Sequence, residues 1–378
     1  MKPNSGPPFY RQIVMGLTLY FALSACSCGP DKTNPEFGNP TPQKPAIPYY
    51  FETSYSEPTD NPSTKEGVEL GKQLFFEKQL SRDGTISCAT CHKPELAFTD
   101  GLKVSKGIDN QLGKRNAPTL YNVGLFKKLF WDGRVSTLEE QSLHPILDSK
   151  EMGLSLDEAV ARIKAIPKYS SLFGKSFGSV EVSSDRIAKA LAQFERSLVS
   201  ADSRYDRYLK GLYTPTVEEQ LGIQLFFTHP NPFAPAPGLR GGNCGDCHLP
   251  GTLIGNQNGF DGFHNTGLNS EFSSSSDLGL EIQSGKLADR GRFKTPSLRN
   301  IELTAPYMHD GRFLTLEEVL NHYNDEEIFS HPNVDALIAA GTNQKNGSSL
   351  ALTEQEKKAI LAFLKMLTDS SSTRSFQP

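Results

Sequence analysis

Cys88-Ala-Thr-Cys91-His92 and Cys244-Gly-Asp-Cys247-His248 decide how the rest of this 378-residue chain is read. In a Cys-x-x-Cys-His pentad, two thiols can add to the two vinyl groups of one porphyrin. The adjacent His then takes the iron from one face, which is the attachment pattern of c-type haem. A thioredoxin-like Cys-x-x-Cys would sit in a βαβ context, and none is visible here. A zinc site built from the four thiolates would leave both histidines unexplained. Two pentads therefore predict two covalent c-type haems, one on Cys88, Cys91 and His92, the other on Cys244, Cys247 and His248.

The N-terminus agrees with that chemistry. Lys2 and Arg11 flank an apolar run, Ile13 to Ala25, that is too short to span a bilayer, so residues 1–25 read as a signal peptide. The run ends in Leu23-Ser24-Ala25-Cys26, which resembles the lipobox of bacterial lipoproteins. By that resemblance Cys26 carries lipid and anchors the mature chain to a membrane. An ordinary cleaved signal is the alternative. Both place the protein in the periplasm or cell envelope, and Cys28 takes no role. Residues 26–48 are rich in Pro, Asn, Gly and Thr and read as a flexible linker. A body from about 49 to 368 follows, long enough for two domains, and 369–378 read as a disordered tail. Net charge is −4 with no basic patch, which argues against a nucleic-acid partner.

The body repeats itself. Gly71-Lys-Gln-Leu-Phe-Phe76 recurs as Gly222-Ile-Gln-Leu-Phe-Phe227, each copy upstream of its pentad. Asp132-Gly-Arg134-x-x-Thr137-Leu-Glu-Glu140 recurs as Asp310-Gly-Arg312-x-x-Thr315-Leu-Glu-Glu318. Arg115-Asn-Ala-Pro-Thr-Leu-Tyr-Asn122 is echoed by Lys294-Thr-Pro-Ser-Leu-Arg-Asn300. Thr137 and Thr315 read as N-caps, with Glu140 and Glu318 as capping-box partners. Helical spacing marks Leu154–Ala165, Ser184–Leu198, Thr216–Phe227 and Thr353–Leu367. Strand-like alternation is scarce, so the fold class is mainly α. Aligning the Asp-Gly-Arg copies shifts the numbering by 178 and sets Pro145 opposite Tyr323. Tyr323 has a donor atom for iron and Pro145 has none.

At this point a family resemblance is specific. The chain resembles the bacterial di-haem cytochrome c peroxidases, a family that includes the methylamine-utilisation protein MauG. The matching stretches are Leu80-Ser-Arg-Asp-Gly-Thr-Ile-Ser-Cys88, Ala97-Phe-Thr-Asp-Gly101, Arg115-Asn-Ala-Pro-Thr119, Phe130-Trp-Asp-Gly-Arg134, Glu151-Met152 and Thr304-Ala-Pro-Tyr-Met-His-Asp-Gly-Arg312. The resemblance implies two cytochrome-c-like domains, each with one covalent haem. They would span 49–208, with the haem that meets peroxide, and 209–368, with the haem that passes electrons.

The resemblance also assigns residues. Tyr323 stands where the family ligates the second iron, as Met in the peroxidases and as Tyr in MauG. Met308 and His322 remain rivals for that place, although His322 would point roughly 100° away on a helix. Ordinary peroxidases of the family carry a capping His where this chain has Ile108, so the first iron is expected to stay available. His144 is the remaining cap candidate, restricted by the Pro that follows, and reads better as a structural residue. Glu151 matches the family's distal acid–base residue and Gln141 its companion amide. Trp131, the single Trp, matches the residue between the two irons. Asn116, Thr304 and Pro306 match residues that hold a calcium ion, an oxygen set suited to a hard cation.

Three functions follow as expectations. The first is a cytochrome-c-peroxidase-type oxidoreductase. It reduces hydrogen peroxide to water at the His92 haem, with electrons from a small cytochrome or cupredoxin entering at His248. The second is a MauG-like enzyme that uses peroxide to oxidise a partner protein or small molecule. The third is a non-catalytic electron carrier, against which the open first iron and Glu151 both argue.

Overall fold

Both copies of the repeated Gly-x-Gln-Leu-Phe-Phe lie on helices that another helix crosses at the glycine. In the computed structural model, a methyl group on Gly71 would overlap the carbonyl of Ala190, and one on Gly222 would overlap the carbonyl of Ala359. Only glycine lets the backbones approach so closely. The structure describes residues 37–51, 55–234, 239–256, 262–269, 271–324, 333–343 and 349–371. The expected signal peptide, Cys26, Cys28, the linker up to residue 36 and the tail from residue 372 lie outside the described residues.

The described chain is mainly helical. In order it forms α1 (Lys65–Phe75), α2 (Cys88–Cys91), α3 (Leu138–Leu147), α4 (Leu156–Ala165), α5 (Pro167–Phe177), α6 (Ser184–Ser197), α7 (Arg204–Leu209), α8 (Val217–Phe227), α9 (Glu281–Ser284), α10 (Leu316–Asn324), α11 (Ala336–Ala340) and α12 (Glu354–Met366). Two short strands, β1 (Phe263–His264) and β2 (Phe293–Lys294), pair antiparallel, with Phe263 opposite Lys294. The four helices expected from their spacing all form, within two residues of their expected ends. Thr137 caps α3 by accepting from the Glu140 N–H at 3.2 Å. Thr315 and Glu318 cap α10 reciprocally, at 3.2 and 3.1 Å.

The repeat in sequence is a repeat in space. α1 packs on α6 and α8 on α12. Phe75 meets Phe194 at 5.1 Å between ring centroids, and Phe226 meets Phe363 at 4.9 Å. Asn122 and Asn300, 178 apart, both adopt left-handed backbone (φ 60 and 61). Asn122 donates its N–H to Leu198 O at 2.7 Å, and Asn300 donates to Leu367 O at 3.0 Å. One apolar core gathers residues from Leu70 to Leu198 and a second gathers Tyr205 to Leu367. α7 contributes Tyr205 to the second core.

Reciprocal contacts join the halves. Asn116 N–H donates to His309 O at 2.8 Å, and Lys294 N–H donates to Trp131 O at 2.9 Å. Asn116 and Lys294 are 178 apart, as are Trp131 and His309, so these two bonds are one contact seen from both sides. That reciprocity is the mark of a local pseudo-two-fold axis. Arg299 adds a fully buried tie, donating to both Asp206 carboxylate oxygens at 2.9 Å and lying over the Phe51 ring.

Candidate active site

Each pentad closes one helical turn that aims its His inward. The His92 N–H donates to Cys88 O at 2.9 Å, and the His248 N–H donates to Cys244 O at the same distance. His92 Nδ1 lies 2.9 Å from Phe98 O. That carbonyl is turned toward the ring by left-handed backbone at Phe98 (φ 60). Such an outer bond fixes the tautomer and leaves Nε2 to ligate. Leu253, also left-handed (φ 58), turns its carbonyl toward His248. The carbonyls of Pro118 and Pro296, again 178 apart, stand beside the two rings. His248 Nδ1 is buried with no hydrogen bond of good geometry among the described residues. Burial lowers both imidazole pKa values, that of His248 to about 4. Both histidines are therefore neutral and suited to bind iron.

The thiols are equally informative. All four are free. Burial pushes Cys91 up to about 11 and Cys244 and Cys247 to about 12, and raises Cys88 further. Among the described residues no group of three or more His, Cys, Asp or Glu side chains gathers around a metal position.

Around His248 lies a cavity of ≈ 1270 Å³ of empty space, its open mouth included. Cys244, Cys247 and His248 line one part of it, and Tyr323, Met308 and Trp131 line other parts. Leu316, Leu320, Ile360 and Leu364 supply apolar wall. The two thiols, the neutral His248 and this apolar wall fit a covalently held porphyrin. Burial, with Cys247 and Cys244 next, raises the Tyr323 phenol above its ordinary pKa. Only a strong local cation such as iron would make a phenolate there. Met308 lines the same cavity, so two of the three named candidates for the second iron are present. His322 does not line it. Its Nε2 lies 2.8 Å from Thr266 O and its ring packs on Phe313.

At the first site, Glu151 follows α3 and α2 carries the thiols. Burial raises the Glu151 pKa, Asp148 raises it further and Arg134 lowers it. The charge of Glu151 bears on both Cys88 and Cys91. Ile108 is buried, and its N–H donates to Glu151 O at 2.9 Å. The segment that carries Ile108 therefore braces the Glu151 backbone. Gln141 lies on α3, half-buried. His144 packs edge-on against Phe130 at 5.5 Å. The restriction expected from Pro145 does not break the helix: His144 and Pro145 both lie inside α3, near its end.

Comparison with known proteins decides the family. Residues 65–214 match the family model described as di-haem cytochrome c peroxidase. The methylamine utilization protein MauG of Methylorubrum extorquens is 36% identical over 326 residues, covering 83% of this chain and 81% of the relative. The cytochrome c551 peroxidase of Nitrosomonas europaea is 35% identical over 309 residues, covering 81% of each. A crystal structure of a MauG-like protein associated with microbial copper homeostasis superposes with a TM-score of 0.74 at 37% identity, covering 88% of this chain and 97% of the other. The chain belongs to the di-haem cytochrome c peroxidase family. That membership carries two c-type haems, and with the family go hydrogen peroxide, a cytochrome electron donor and a periplasmic setting.

In this di-haem peroxidase family member, Trp131 comes from the first half yet lines the His248 cavity. Its Nε1 donates to Asn116 O at 2.8 Å and its ring meets His309 edge-on at 6.5 Å. Asn116 is buried, its side chain donating to Leu102 O at 2.9 Å. Thr304 is buried, its hydroxyl 3.2 Å from Ile301 O. Pro306 lies three residues before His309, whose carbonyl binds the Asn116 N–H. Several residues of the site escaped the sequence reading. His309 stacks on Phe293 at 3.6 Å in the same cavity, and burial holds its pKa near 4. Lys294 also lines it, its pKa pulled down to about 7 by burial, with Nζ 3.8 Å from the Phe126 ring centroid. Arg115 grips Asp277 through two bonds of 2.6 and 2.8 Å and Asp132 at 2.8 Å. The 178-residue offset could have found His309 and Lys294, as the counterparts of Trp131 and Asn116.

Proposed function

We propose that this protein is a di-haem peroxidase that reduces hydrogen peroxide to water at the His92 site, with electrons entering through the His248 site. The observation that supports this reading is Glu151: a half-buried carboxyl with a raised pKa, braced by Ile108, its charge felt at both thiols of the first pentad. When bound, haem supplies an iron that meets peroxide on its open face and holds the electrons. The chain supplies the rest. Glu151 takes a proton from one peroxide oxygen and delivers it to the departing one. Arg134, near enough to lower the Glu151 pKa, keeps that carboxyl able to release its proton. Gln141 is placed on α3 to polarise the departing oxygen. Two electrons and two protons then balance one peroxide against two waters. Trp131 gives the electrons an aromatic route between the halves. Tyr323 would hold the second iron, with Met308 as the alternative. Asn116, Thr304 and Pro306 would hold calcium through oxygen, and a lipid on Cys26 would anchor the chain in the cell envelope.

A second reading is favoured by Ile108 and Tyr323 together: peroxide is used to oxidise a partner protein or small molecule, as the resemblance to MauG implies. One experiment tests both. The fully oxidised holoprotein is mixed with cyanide or peroxide, without prior half-reduction. A prompt spectral change of the His92 haem is expected. Reactivity that appears only on half-reduction would mean that a residue such as His144 caps the iron, and would overturn the open-site reading. Sustained turnover with a reduced small cytochrome or cupredoxin then separates peroxidase from MauG-like use.

A further inference from the structure

Glu195 breaks a rule that its surroundings keep. It lies on α6, only 5% exposed, and its Oε2 has no hydrogen-bond partner among the described residues. A carboxyl buried this way costs stability unless something compensates. The duplication shows that the fold does not require one. α6 and α12 correspond through Ala190 and Ala359, and through Phe194 and Phe363, which meet Gly71 and Gly222 alike. In that register Glu195 corresponds to Leu364, and Leu364 lines the His248 cavity. The first site therefore carries an acid where the second has plain aliphatic wall. Glu195 is also the charge that weighs most on the Cys88 thiol, ahead of Glu151.

We propose that Glu195 is the redox-linked proton carrier of the first site, binding one proton as the His92 haem gains an electron and releasing it as the electron leaves. The balance is simple. A ferric site with a carboxylate, one electron and one solvent proton give a ferrous site with a carboxylic acid, so the local charge does not change. Electrons come from the donor protein or, in the test, from an electrode with mediators. Keeping the charge constant matters because a buried site solvates added charge poorly. The charged groups bearing on Glu195 are Arg196 on its own helix and Glu139 on α3. Those two pair with each other at 2.7 Å and largely cancel. α1 meets α6 through Gly67, Gly71 and Phe75, the turn at 123–125 meets it through Gly124, and α4 adds Ala159 and Ile163 to the same core, none of them charged. Burial lifts the carboxyl to about 8, with Arg196 lowering it and Glu139 raising it, which puts its titration in reach of neutral pH.

The test is a spectroelectrochemical titration of the holoprotein between about pH 6 and about pH 9, where such a group changes its proton occupancy. In the native protein the midpoint potential of the His92 haem is expected to fall with pH, by up to about 59 mV per unit, the tenfold equivalent for a one-electron couple. In Glu195→Gln and Glu195→Leu that slope should flatten, while the His248 haem keeps its native behaviour. A flat native slope, or a slope that survives in the variants, overturns the proposal. If the Leu variant loses haem, the Gln variant still decides. Redox-difference infrared spectra of native and Gln proteins should also show a protonated-carboxyl band in the native alone, and its absence there would count against the proposal. The proposal goes beyond the peroxidase reading, and its failure would leave that reading standing.

Discussion

The two halves share a skeleton and differ in what they place at equivalent points. Gly71 and Gly222, Phe98 and Leu253, Pro118 and Pro296, and Asn122 and Asn300 perform the same tasks twice. These positions cross helices, turn a carbonyl to a haem-binding His or pin a loop. Elsewhere the pairs diverge: Trp131 with His309, Asn116 with Lys294, Pro145 with Tyr323, Glu195 with Leu364. The constraint of holding a porphyrin is conserved within the chain. The residues proposed for polarity, ligation and electron passage are not. The divergent pairs Trp131 with His309 and Arg115 with Phe293 also touch each other across the pseudo-axis. Differentiation has therefore reached the place where the halves meet.

The largest expected effect breaks the sharing outright. Replacing Cys88 and Cys91 by Ala should leave one covalent haem of two, and replacing Cys244 and Cys247 should remove the other. Haem retained after denaturing extraction checks both, and an unchanged content in either variant would contradict the two-haem assignment. Next comes Glu151→Gln, which removes the proposed acid–base group of the first site but preserves its shape. Peroxide turnover should fall roughly 10²-fold or more, the scale of one general acid–base residue, with both haems retained. Near-native turnover in a fully loaded variant would remove Glu151 from the chemistry and erase the main catalytic difference between the halves.

Much of this was legible from residue order. The pentads, the Gly-x-Gln-Leu-Phe-Phe copies and the Asp-Gly-Arg copies are local, so they survive without coordinates. The Thr caps of α3 and α10 were legible for the same reason. α5 was not read, although Pro167 at its first turn and left-handed Gly178 after its end are both helix signals. Glu195 was invisible for a different reason. On a helix surface it would be ordinary, and only tertiary packing makes it a buried orphan. His309 and Arg115 depend likewise on contacts between residues far apart in sequence.

The shared helix crossing offers a subtler test. Gly71→Ala and Gly222→Ala each push a methyl into a carbonyl that belongs to a helix backbone and cannot swing away. The gain of about 1 kcal/mol in helix propensity should be outweighed by overpacking of about 3 kcal/mol, near the upper end of the usual range. Each variant should lose stability by about 2 kcal/mol, read as a lower denaturant midpoint. Equal losses would confirm that the halves use one lock. A neutral result in one half would show that its crossing relaxes.

The smallest effect concerns the seam, where Arg115 faces its own counterpart, Phe293. Its guanidinium binds Asp277 from the second half and Asp132 from the first, all three largely buried. Burial alone would raise the Asp277 pKa, but Arg115 prevails and holds it below the ordinary 3.8. A carboxylate whose folded pKa is depressed stabilises the fold above its unfolded pKa. That contribution is lost as pH falls through the lower, folded value. Arg115→Gln should therefore cost about 1–2 kcal/mol at neutral pH, a charge-assisted bond discounted for partial solvent screening. The difference from native should hold down to about pH 4, near the unfolded Asp pKa, and shrink below it as Asp277 takes a proton. Denaturant midpoints of both proteins across acidic pH check this. A gap that stays constant into strong acid would mean that Arg115 works by packing on Phe293, at 5.6 Å from its ring centroid, and that the seam is held by shape rather than charge.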